Sequence, residues 1–343
     1  MKLRYKILLL GAIGLFGGVF VINSLLFIPN VKLDKQYIFV DIPPQTNLDS
    51  LTRILTPYIK SRATFKLAAK IKRFRKPHPG RYRLINMMNN NNLINTLRIG
   101  KKVEVSLTFN NKNSLAELAG AVSHQIEPDS LSVLKSLSDP EFITAKGFTK
   151  DNALLMYIPN TYKFFYNTTP EKFREKMWQE YEKFWHKKRL NKAKQIGLTP
   201  IQVGILASII QKESTKPSEL PRIAGVYLNR LKKGMLLQAD PTVVYAYKQK
   251  YGQNLVIKRV LNKHKAVNSP YNTYKYIGLP PGPISMPDIQ SIEAVLNAEK
   301  HPYYYFVADF NRPGYHLFSK TLSDHNRKAS RYHQNLNKLG ILH

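Results

Sequence analysis

A complete helix start signal opens residues 199–214, which read TPIQVGILASIIQKES. Thr199 can act as the N-cap, Pro200 occupies the first helical position, and Gln202 completes a capping box. The apolar positions that follow recur at helical spacing, and they are Ile205, Leu206, Ile209 and Ile210. The stretch therefore predicts a helix that buries one face in a core.

Glu213 lies on the apolar face of this predicted helix. It follows Leu206 by seven residues, Ile209 by four and Ile210 by three. A carboxylate at such a position is partly desolvated, which raises its pKa and lets it hold a proton near neutral pH. A general acid for glycoside cleavage needs this property. The alternative is that the helix frays at Lys212 and leaves Glu213 as its solvated end, and the spacing leaves both interpretations open.

Three further polar residues lie at helix ends after Glu213. Glu219 opens the next predicted helix, where a negative charge suits the helix dipole. Asn229 lies near the end of that helix, close to the following loop. Asp240 precedes a proline and is typical of an N-cap. Each of these positions therefore has a structural explanation beside a functional one.

Two loop segments carry the remaining candidates. Residues 268–274 read NSPYNTY, and residues 278–283 read GLPPGP. The second segment has little conformational freedom and predicts a rigid loop that holds the first in place. Amides bond hydroxyl and N-acetyl groups while phenol rings cover the apolar faces of sugars, so these side chains fit sugar recognition. The candidates are Tyr271, Asn272 and Tyr274 in the first segment and Gln238 just before Asp240, and simple loop packing is the alternative interpretation.

The N-terminus predicts a membrane anchor. Residues 1–6 form a basic flank, and residues 7–28 then run for 22 residues without a formal charge. Such a helix spans about 33 Å, which is enough for a bilayer core, and no small-residue cleavage site follows it. We therefore expect a retained transmembrane helix rather than a cleaved signal peptide. The basic flank favours a cytoplasmic N-terminus, which places residues 30–343 outside the cytoplasm.

Composition narrows the classes of function. The 343 residues include 53 Lys and Arg against 22 Asp and Glu, a net charge of +31, and no Cys. Disulfides, thiolate metal sites and cysteine nucleophiles are therefore excluded. The basic charge suits anionic lipid or cell-wall polymer, and the extracytoplasmic placement argues against nucleic acid. The nine His residues show no ligand spacing, so we expect neither a metal nor a cofactor.

Helical and strand patterns do not alternate as they do in parallel α/β proteins, so they predict an α+β fold. Residues 31–109 form a small α+β unit, and residues 110–343 form a larger mixed domain. Within the small unit, residues 66–76 predict a basic amphipathic helix that either packs on its own domain or docks on a membrane surface. Residues 169–190 predict a long helix with a buried aromatic stripe.

A family resemblance becomes specific at an ordered series of motifs. They are LASIIQKES (206–214), IAGVYLNRL (223–231), GMLLQADPTV (234–243), SPYNTY (269–274), GLPPGPI (278–284), YFVAD (305–309) and HLF (316–318). With the N-terminal anchor, the series resembles the YceG-like endolytic murein transglycosylases over residues 31–332. Each motif alone is modest, whereas the ordered set is specific.

The resemblance implies a single-pass enzyme of the inner (cytoplasmic) membrane whose extracytoplasmic domain cuts nascent peptidoglycan strands internally. The bond would be the β-1,4 linkage between N-acetylmuramic acid and N-acetylglucosamine, and the products would carry 1,6-anhydromuramic ends that terminate elongation. Residues 31–109 would be a LysM-like subdomain and residues 110–343 the catalytic domain. The implied partners are glycan strands, the lipid bilayer and peptidoglycan synthases, without nucleic acid.

The resemblance also assigns site residues. Its catalytic acid corresponds to Glu213. The expected substrate-binding residues are Glu219, Asn229, Gln238, Asp240, Tyr271, Asn272 and Tyr274. We expect the last five of these to line one cleft with Glu213. The family often has an Asp where this sequence has Asn160, so we assign no charged role there.

Glu213 would first protonate the glycosidic oxygen and then accept the proton of the muramic acid 6-hydroxyl as that hydroxyl attacks its own anomeric carbon. A second carboxylate is dispensable in this scheme. A hydrolytic muramidase would instead need a base for water, and Glu219 or Asp240 could serve. A membrane-anchored binding or scaffold protein without catalysis is the third interpretation.

Overall fold

The structure is a computed structural model that describes residues 16–43, 45–100, 103–257 and 259–338. It contains short two-stranded sheets among many helices, so the predicted α+β class is confirmed. The first nine residues of the predicted anchor, residues 7–15, lie outside the described residues.

Two compact units divide the chain. The N-terminal unit comprises the chain up to Leu107 with His124–Pro128 and Tyr162–Thr169, and the C-terminal unit comprises Thr108–Ser123, Asp129–Thr161 and the chain from Pro170 onward. The predicted boundary after residue 109 lies close to the first division. The later return of the chain to the N-terminal unit has local causes, since the Arg81 guanidinium lies 3.4 Å from the Tyr166 ring centre and Asn167 Nδ2 donates to the Pro79 carbonyl.

The N-terminal unit is built around one antiparallel strand pair. Its elements are α1 (Phe16–Phe27), β1 (Tyr37–Ile42), α2 (Leu48–Leu55), α3 (Arg62–Ile71), β2 (Gly80–Ile85) and α4 (Asn90–Ile99). Tyr37 pairs with Ile85 and Ile42 with Gly80. Because side chains alternate along a strand, one face of the pair is buried. Its core includes Val40, Ile42, Tyr82 and Leu84 with Leu51, Phe65 and Leu93 from the helices.

Helix α1 is apolar and ends in contact with the rest of the N-terminal unit. Asn90 Nδ2 donates to the Leu25 carbonyl at 2.9 Å, and the Val31 amide donates to the Met88 carbonyl at 2.9 Å. Among the described residues, no single helix has the length and apolar character needed to cross a membrane, although the pair Lys187–Gln195 and Pro200–Glu213, bent by 75°, has them in combination.

Helix α3 differs from its sequence prediction. It covers Arg62–Ile71 rather than residues 66–76, and the chain leaves it through Arg73, whose φ is 51°. Phe65, Ala68 and Ala69 face the core, whereas Leu67 and Ile71 are exposed. The predicted bounds are therefore wrong, because the helix starts earlier and packs Phe65, Ala68 and Ala69 into the core rather than Leu67 and Ile71.

From residue 104 onward the chain is mainly helical. In chain order the elements are β3 (Glu104–Phe109), α5 (Leu115–Ser123), α6 (Ser130–Leu137), α7 (Pro140–Ala145), β4 (Asn160–Phe165), α8 (Pro170–Phe184), α9 (Lys187–Gln195), α10 (Pro200–Glu213), α11 (Leu220–Lys232), α12 (Asp240–Tyr251), α13 (Asn262–Lys265), α14 (Ile289–Leu296), β5 (Tyr305–Ala308), β6 (His316–Ser319) and α15 (Leu322–Lys338). β3 pairs with β4, and β5 pairs with β6. The predicted single helix over residues 169–190 is two helices, because His186 caps α9 by accepting from the Lys188 amide.

Helix α10 forms the centre of the C-terminal unit. Its predicted start is confirmed, with Thr199 and Gln202 in a capping box. Every residue from 203 to 210 is buried, and the helix packs against α11, α12 and α14. Gly204 permits a close approach, since a Cβ there would lie 2.8 Å from Leu155 Cδ2. This packing fixes the C-terminal end of α10, where Glu213 is the last helical residue.

Candidate active site

The side chain of Glu213 is half-buried although the residue ends its helix. Tyr227 Oη donates to Glu213 Oε1 at 2.6 Å. Burial raises the pKa of Glu213 to about 7, and the negative charge of Asp240 adds to this effect, while the Tyr227 hydrogen bond and the Arg230 charge oppose it. Glu213 can therefore hold a proton near neutral pH, as the periodicity predicted. The alternative of a solvated helix end is wrong.

Tyr227 positions one oxygen of that carboxyl group. It lies on α11, its side chain is buried, and its ring meets Phe306 of β5 edge to face with centroids 5.9 Å apart. Burial and the neighbouring Glu213 raise the pKa of Tyr227 well above its usual value. The phenol therefore remains a proton donor at every pH of interest, and no described residue forms a hydrogen bond with Oε2 of Glu213.

Arg230 is a buried cation near the same carboxyl group. Its guanidinium donates to the carbonyls of Tyr304 and Leu237, each at 2.7 Å, and of Leu236 at 3.3 Å. Burial lowers the pKa of Arg230. These bonds join α11 to the loop before α12 and to the chain entering β5, so Arg230 fixes the backbone on two sides of Tyr227.

A cleft of about 940 Å³ opens in front of Glu213. Its walls come from the start of α5, the end of α10, one face of α12 and the loop that follows α12. Glu213 and Asp240 lie on its surface together with Glu117, Tyr245 and Lys248. The space is large enough for more than one sugar ring and falls in the size range of ligand sites.

Asp240, on the cleft wall, forms a second hydrogen-bonded pair with Tyr274, which is not itself a lining residue. Tyr274 Oη donates to Asp240 Oδ1 at 2.6 Å. Burial and this carboxylate raise the pKa of Tyr274 well above its usual value. Asp240 is the first residue of α12, and the N-cap is Ala239. The predicted N-cap role of Asp240 is therefore wrong, and its exposed carboxylate faces the cleft instead.

Residues 40–331 match the sequence model of the YceG-like family. The chain belongs to the YceG-like family. It is 31% identical over 338 residues to the endolytic murein transglycosylase of Bacillus subtilis (strain 168), covering 93% of this chain and 91% of that protein. It is 29% identical over 354 residues to the endolytic murein transglycosylase of Streptococcus pneumoniae D39, covering 94% of this chain but 63% of that protein. A crystal structure of a YceG-like protein from Listeria monocytogenes matches with 30% identity and a TM-score of 0.54, covering 86% of this chain and 99% of that one.

Not all predicted substrate residues of this YceG-like chain lie at the cleft. Tyr271 is one layer behind it, because its ring packs on Tyr245 with centroids 4.8 Å apart and Tyr245 forms the wall. Gln238 is exposed beside the loop in a left-handed conformation, with φ 49°. Asn272 is wholly buried, so the prediction that it lines the cleft is wrong. Its Nδ2 donates to the carbonyls of Lys265 and Val267, which holds the loop in shape.

Glu219 and Asn229 bond to the segment that contains β5 and β6. Glu219 is buried, and its two oxygens accept from the backbone N and Nδ1 of His316, each at 2.9 Å. Asn229 Nδ2 donates to the carbonyls of His301 and Tyr303. The structure thus places both side chains in internal contacts that seat β6 and the approach to β5 on α11. Their role as substrate ligands stays a prediction.

Tyr227, Arg230 and Tyr245 are site residues that the sequence interpretation did not single out. Periodicity places Tyr227 on the inward face of its helix, whereas Arg230 stands near the end of that helix, close to the following loop. The only signal was the family motif around Tyr227 and Arg230. Within the described part of the chain, no group of three His, Asp or Glu side chains could hold a metal ion.

Proposed function

We propose that this chain is an endolytic murein transglycosylase, which is the activity that the names of its relatives state. The observation that carries the proposal is one half-buried carboxyl group, Glu213, with a pKa of about 7 on the wall of a cleft of about 940 Å³. A binding or scaffold protein has no use for a proton held in that position. A glycosidase needs it to protonate the leaving oxygen.

The reaction proceeds without water. Glu213 donates its proton to the glycosidic oxygen as the bond from the muramic acid anomeric carbon to that oxygen breaks. The muramic acid 6-hydroxyl then attacks the anomeric carbon, and the Glu213 carboxylate accepts the hydroxyl proton. One C–O bond breaks, one forms, and Glu213 ends protonated as it began. The attacking group belongs to the substrate, so its effective concentration is high.

Asp240 and Tyr227 support this sequence of events. Asp240 places a negative charge on the cleft surface, where it stabilises positive charge that develops at the anomeric carbon. Tyr227 donates a hydrogen bond to Oε1 of Glu213, so the second oxygen can donate its proton to the glycosidic oxygen. The position of Asp240 also favours a second candidate function, a muramidase in which Asp240 activates water. Glu219 is less suited to that role because both its oxygens are bound to His316.

Mass spectrometry of glycan products separates the two reactions. Glu213→Gln keeps the shape but has no acidic proton, so cleavage should fall by about 10²–10⁴-fold or more. Glu117→Gln is the matched control, because Glu117 lines the same cleft and its carboxylate accepts from nearby Asn113. The wild-type products should carry 1,6-anhydromuramic ends. New reducing ends would establish the muramidase, and full activity of Glu213→Gln would rule out both mechanisms.

We further propose a cellular setting. Residues 7–28 would span the inner membrane once, with the N-terminus in the cytoplasm and the rest outside. The supporting observations are the uncharged segment, the basic flank and the apolar helix Phe16–Phe27. The N-terminal unit would be LysM-like, a proposal supported by its small size and its strand–helix–helix–strand order. The substrate would be nascent strands made by membrane-bound peptidoglycan synthases. Cleavage would end the elongation of those strands.

A further inference from the structure

The charges on the cleft wall are distributed unevenly. Glu213 and Asp240 lie together at the N-terminal end of α12. Lys248 lies on the same wall eight residues further along α12, which corresponds to about 12 Å along the helix axis. Arg259, on the loop after α12, lines the cleft as well. Lys212, beside Glu213, also lines the cleft, so its catalytic end holds two carboxylates and one cation, whereas Lys248 and Arg259 form a cationic end.

The two cations at that end have no partner within the described residues. Neither Lys248 nor Arg259 forms an ion pair or a side-chain hydrogen bond there. Neither side chain stacks on an aromatic ring or contacts a carboxylate. Lys250 differs, because its Nζ lies 5.4 Å from the centre of the Tyr251 ring. A cation in the last turn of α12 complements the helix dipole, which is a sufficient reason for Lys250 and applies to Lys248 as well. It does not explain why Arg259 faces the same space as Lys248.

We infer that the Lys248 and Arg259 end of the cleft binds a carboxylate of the stem peptide that muramic acid carries, an inference that rests on the proposed function. The sugar backbone carries no charge where each lactyl group is linked to a peptide, so the anions of such a strand are those of its peptides. An extended peptide advances about 3.5 Å per residue, so a carboxylate on the second or third stem residue reaches about 12 Å from the cleavage point. Arg and Lys are the side chains that bind carboxylates best. The site would thus select strands with free, unamidated stem peptides.

Binding to two forms of one strand tests the inference. The ligands are uncrosslinked glycan strands with free stem carboxylates and the same strands after carbodiimide and ammonia have converted those carboxylates to amides. Full-length protein carrying Glu213→Gln leaves the strands intact, so Kd is measured without cleavage. We expect amidation to weaken binding about 10-fold, as the loss of one charge-assisted hydrogen-bond pair would.

Variants locate the effect. Lys248→Gln with Arg259→Gln should weaken binding of the carboxylate strands about 10-fold and leave binding of the amidated strands unchanged. Lys250→Gln is the matched control, since it removes the same charge from the same helical turn outside the cleft. Equal affinity of the starting protein for both strands would overturn the inference, as would an equal effect of Lys250→Gln.

The proposed function and the carboxylate site can be tested independently of each other. If wild-type protein cleaves neither strand, the transglycosylase proposal is wrong while the binding comparison still decides the carboxylate site. If it cleaves both strands with the same kcat/KM, the activity stands and the inference is wrong.

Discussion

The proton of Glu213 should govern the pH dependence of cleavage. Activity starts from the protonated acid, so kcat/KM should fall as pH rises through about 7. Tyr227→Phe removes a hydrogen bond that lowers this pKa, so the alkaline limb of the profile should move to higher pH. The Phe ring preserves the packing on Phe306. An alkaline limb that does not move would show that Tyr227 plays no part in setting the proton affinity.

The same carboxyl group should reduce stability at alkaline pH. Its pKa is raised from 4.5 to about 7 on folding, so its contribution is fully present below pH 4.5 and is lost as pH rises through 7. The loss corresponds to about 3 kcal/mol. Glu213→Gln lacks this titration, so its advantage in unfolding free energy over wild type should grow between pH 4.5 and pH 8. Denaturant unfolding at both pH values measures it, and a constant difference would contradict the pKa shift.

Prediction from sequence succeeded for Glu213 because its environment is set by its own helix. Residues three, four and seven positions earlier decide whether its side chain faces the core. Tyr227 and Arg230 acquire their roles from partners far along the chain, since Arg230 bonds to Tyr304. Periodicity indicates only which residues face inward, and it does not identify the polar groups that they contact.

The loop with residues 278–284 should be sensitive to one methyl group. A Cβ on Gly282 would lie 2.0 Å from the carbonyl oxygen of Asp151 and 2.8 Å from the Tyr271 hydroxyl. Gly282→Ala must displace backbone, and we expect a loss of about 1–3 kcal/mol in unfolding free energy with weaker cleavage. Gly120→Ala on α5 is the control, because nothing lies within 4 Å of that Cβ. It should stabilise the protein by up to about 1 kcal/mol. Equal unfolding free energies for the two variants would disprove the close approach.

Elements with local signals were predictable, and elements held by distant contacts were not. The capping box of α10 is contained within four residues, and its prediction is confirmed. The loop that precedes α14 depends on the bond from the Ile284 amide to Ser208 Oγ, across 76 positions. Asn272 is an example of a prediction that failed for this reason. Its amide was predicted to bind a sugar, but it donates to the Val267 carbonyl within its own loop.

At the scale of the molecule, the proposed topology predicts where protease can act. Protease added to intact cells stripped of their wall should degrade residues 30–343 and leave a short N-terminal fragment. The reason is the basic flank before the uncharged segment, which favours retention of the N-terminus inside. A cytoplasmic marker protein must survive in the same sample. Protection of the large domain until the membrane is broken would reverse the proposed orientation.

The division into units was only partly predictable at this scale. A boundary near residue 109 follows from the end of the strand pattern. The return of residues 124–128 and 162–169 to the N-terminal unit has no signature in composition, because it depends on single contacts such as Arg81 over Tyr166.

The cleft has a calorimetric consequence. A space of about 940 Å³ holds about 30 water molecules at the density of the liquid. Its wall includes apolar side chains, among them Val244, Ile257 and Val260, whose hydration is lost when a strand enters. Burial of apolar surface lowers the heat capacity of the complex. Strand binding should therefore become steadily more exothermic as temperature rises, while the affinity itself changes little.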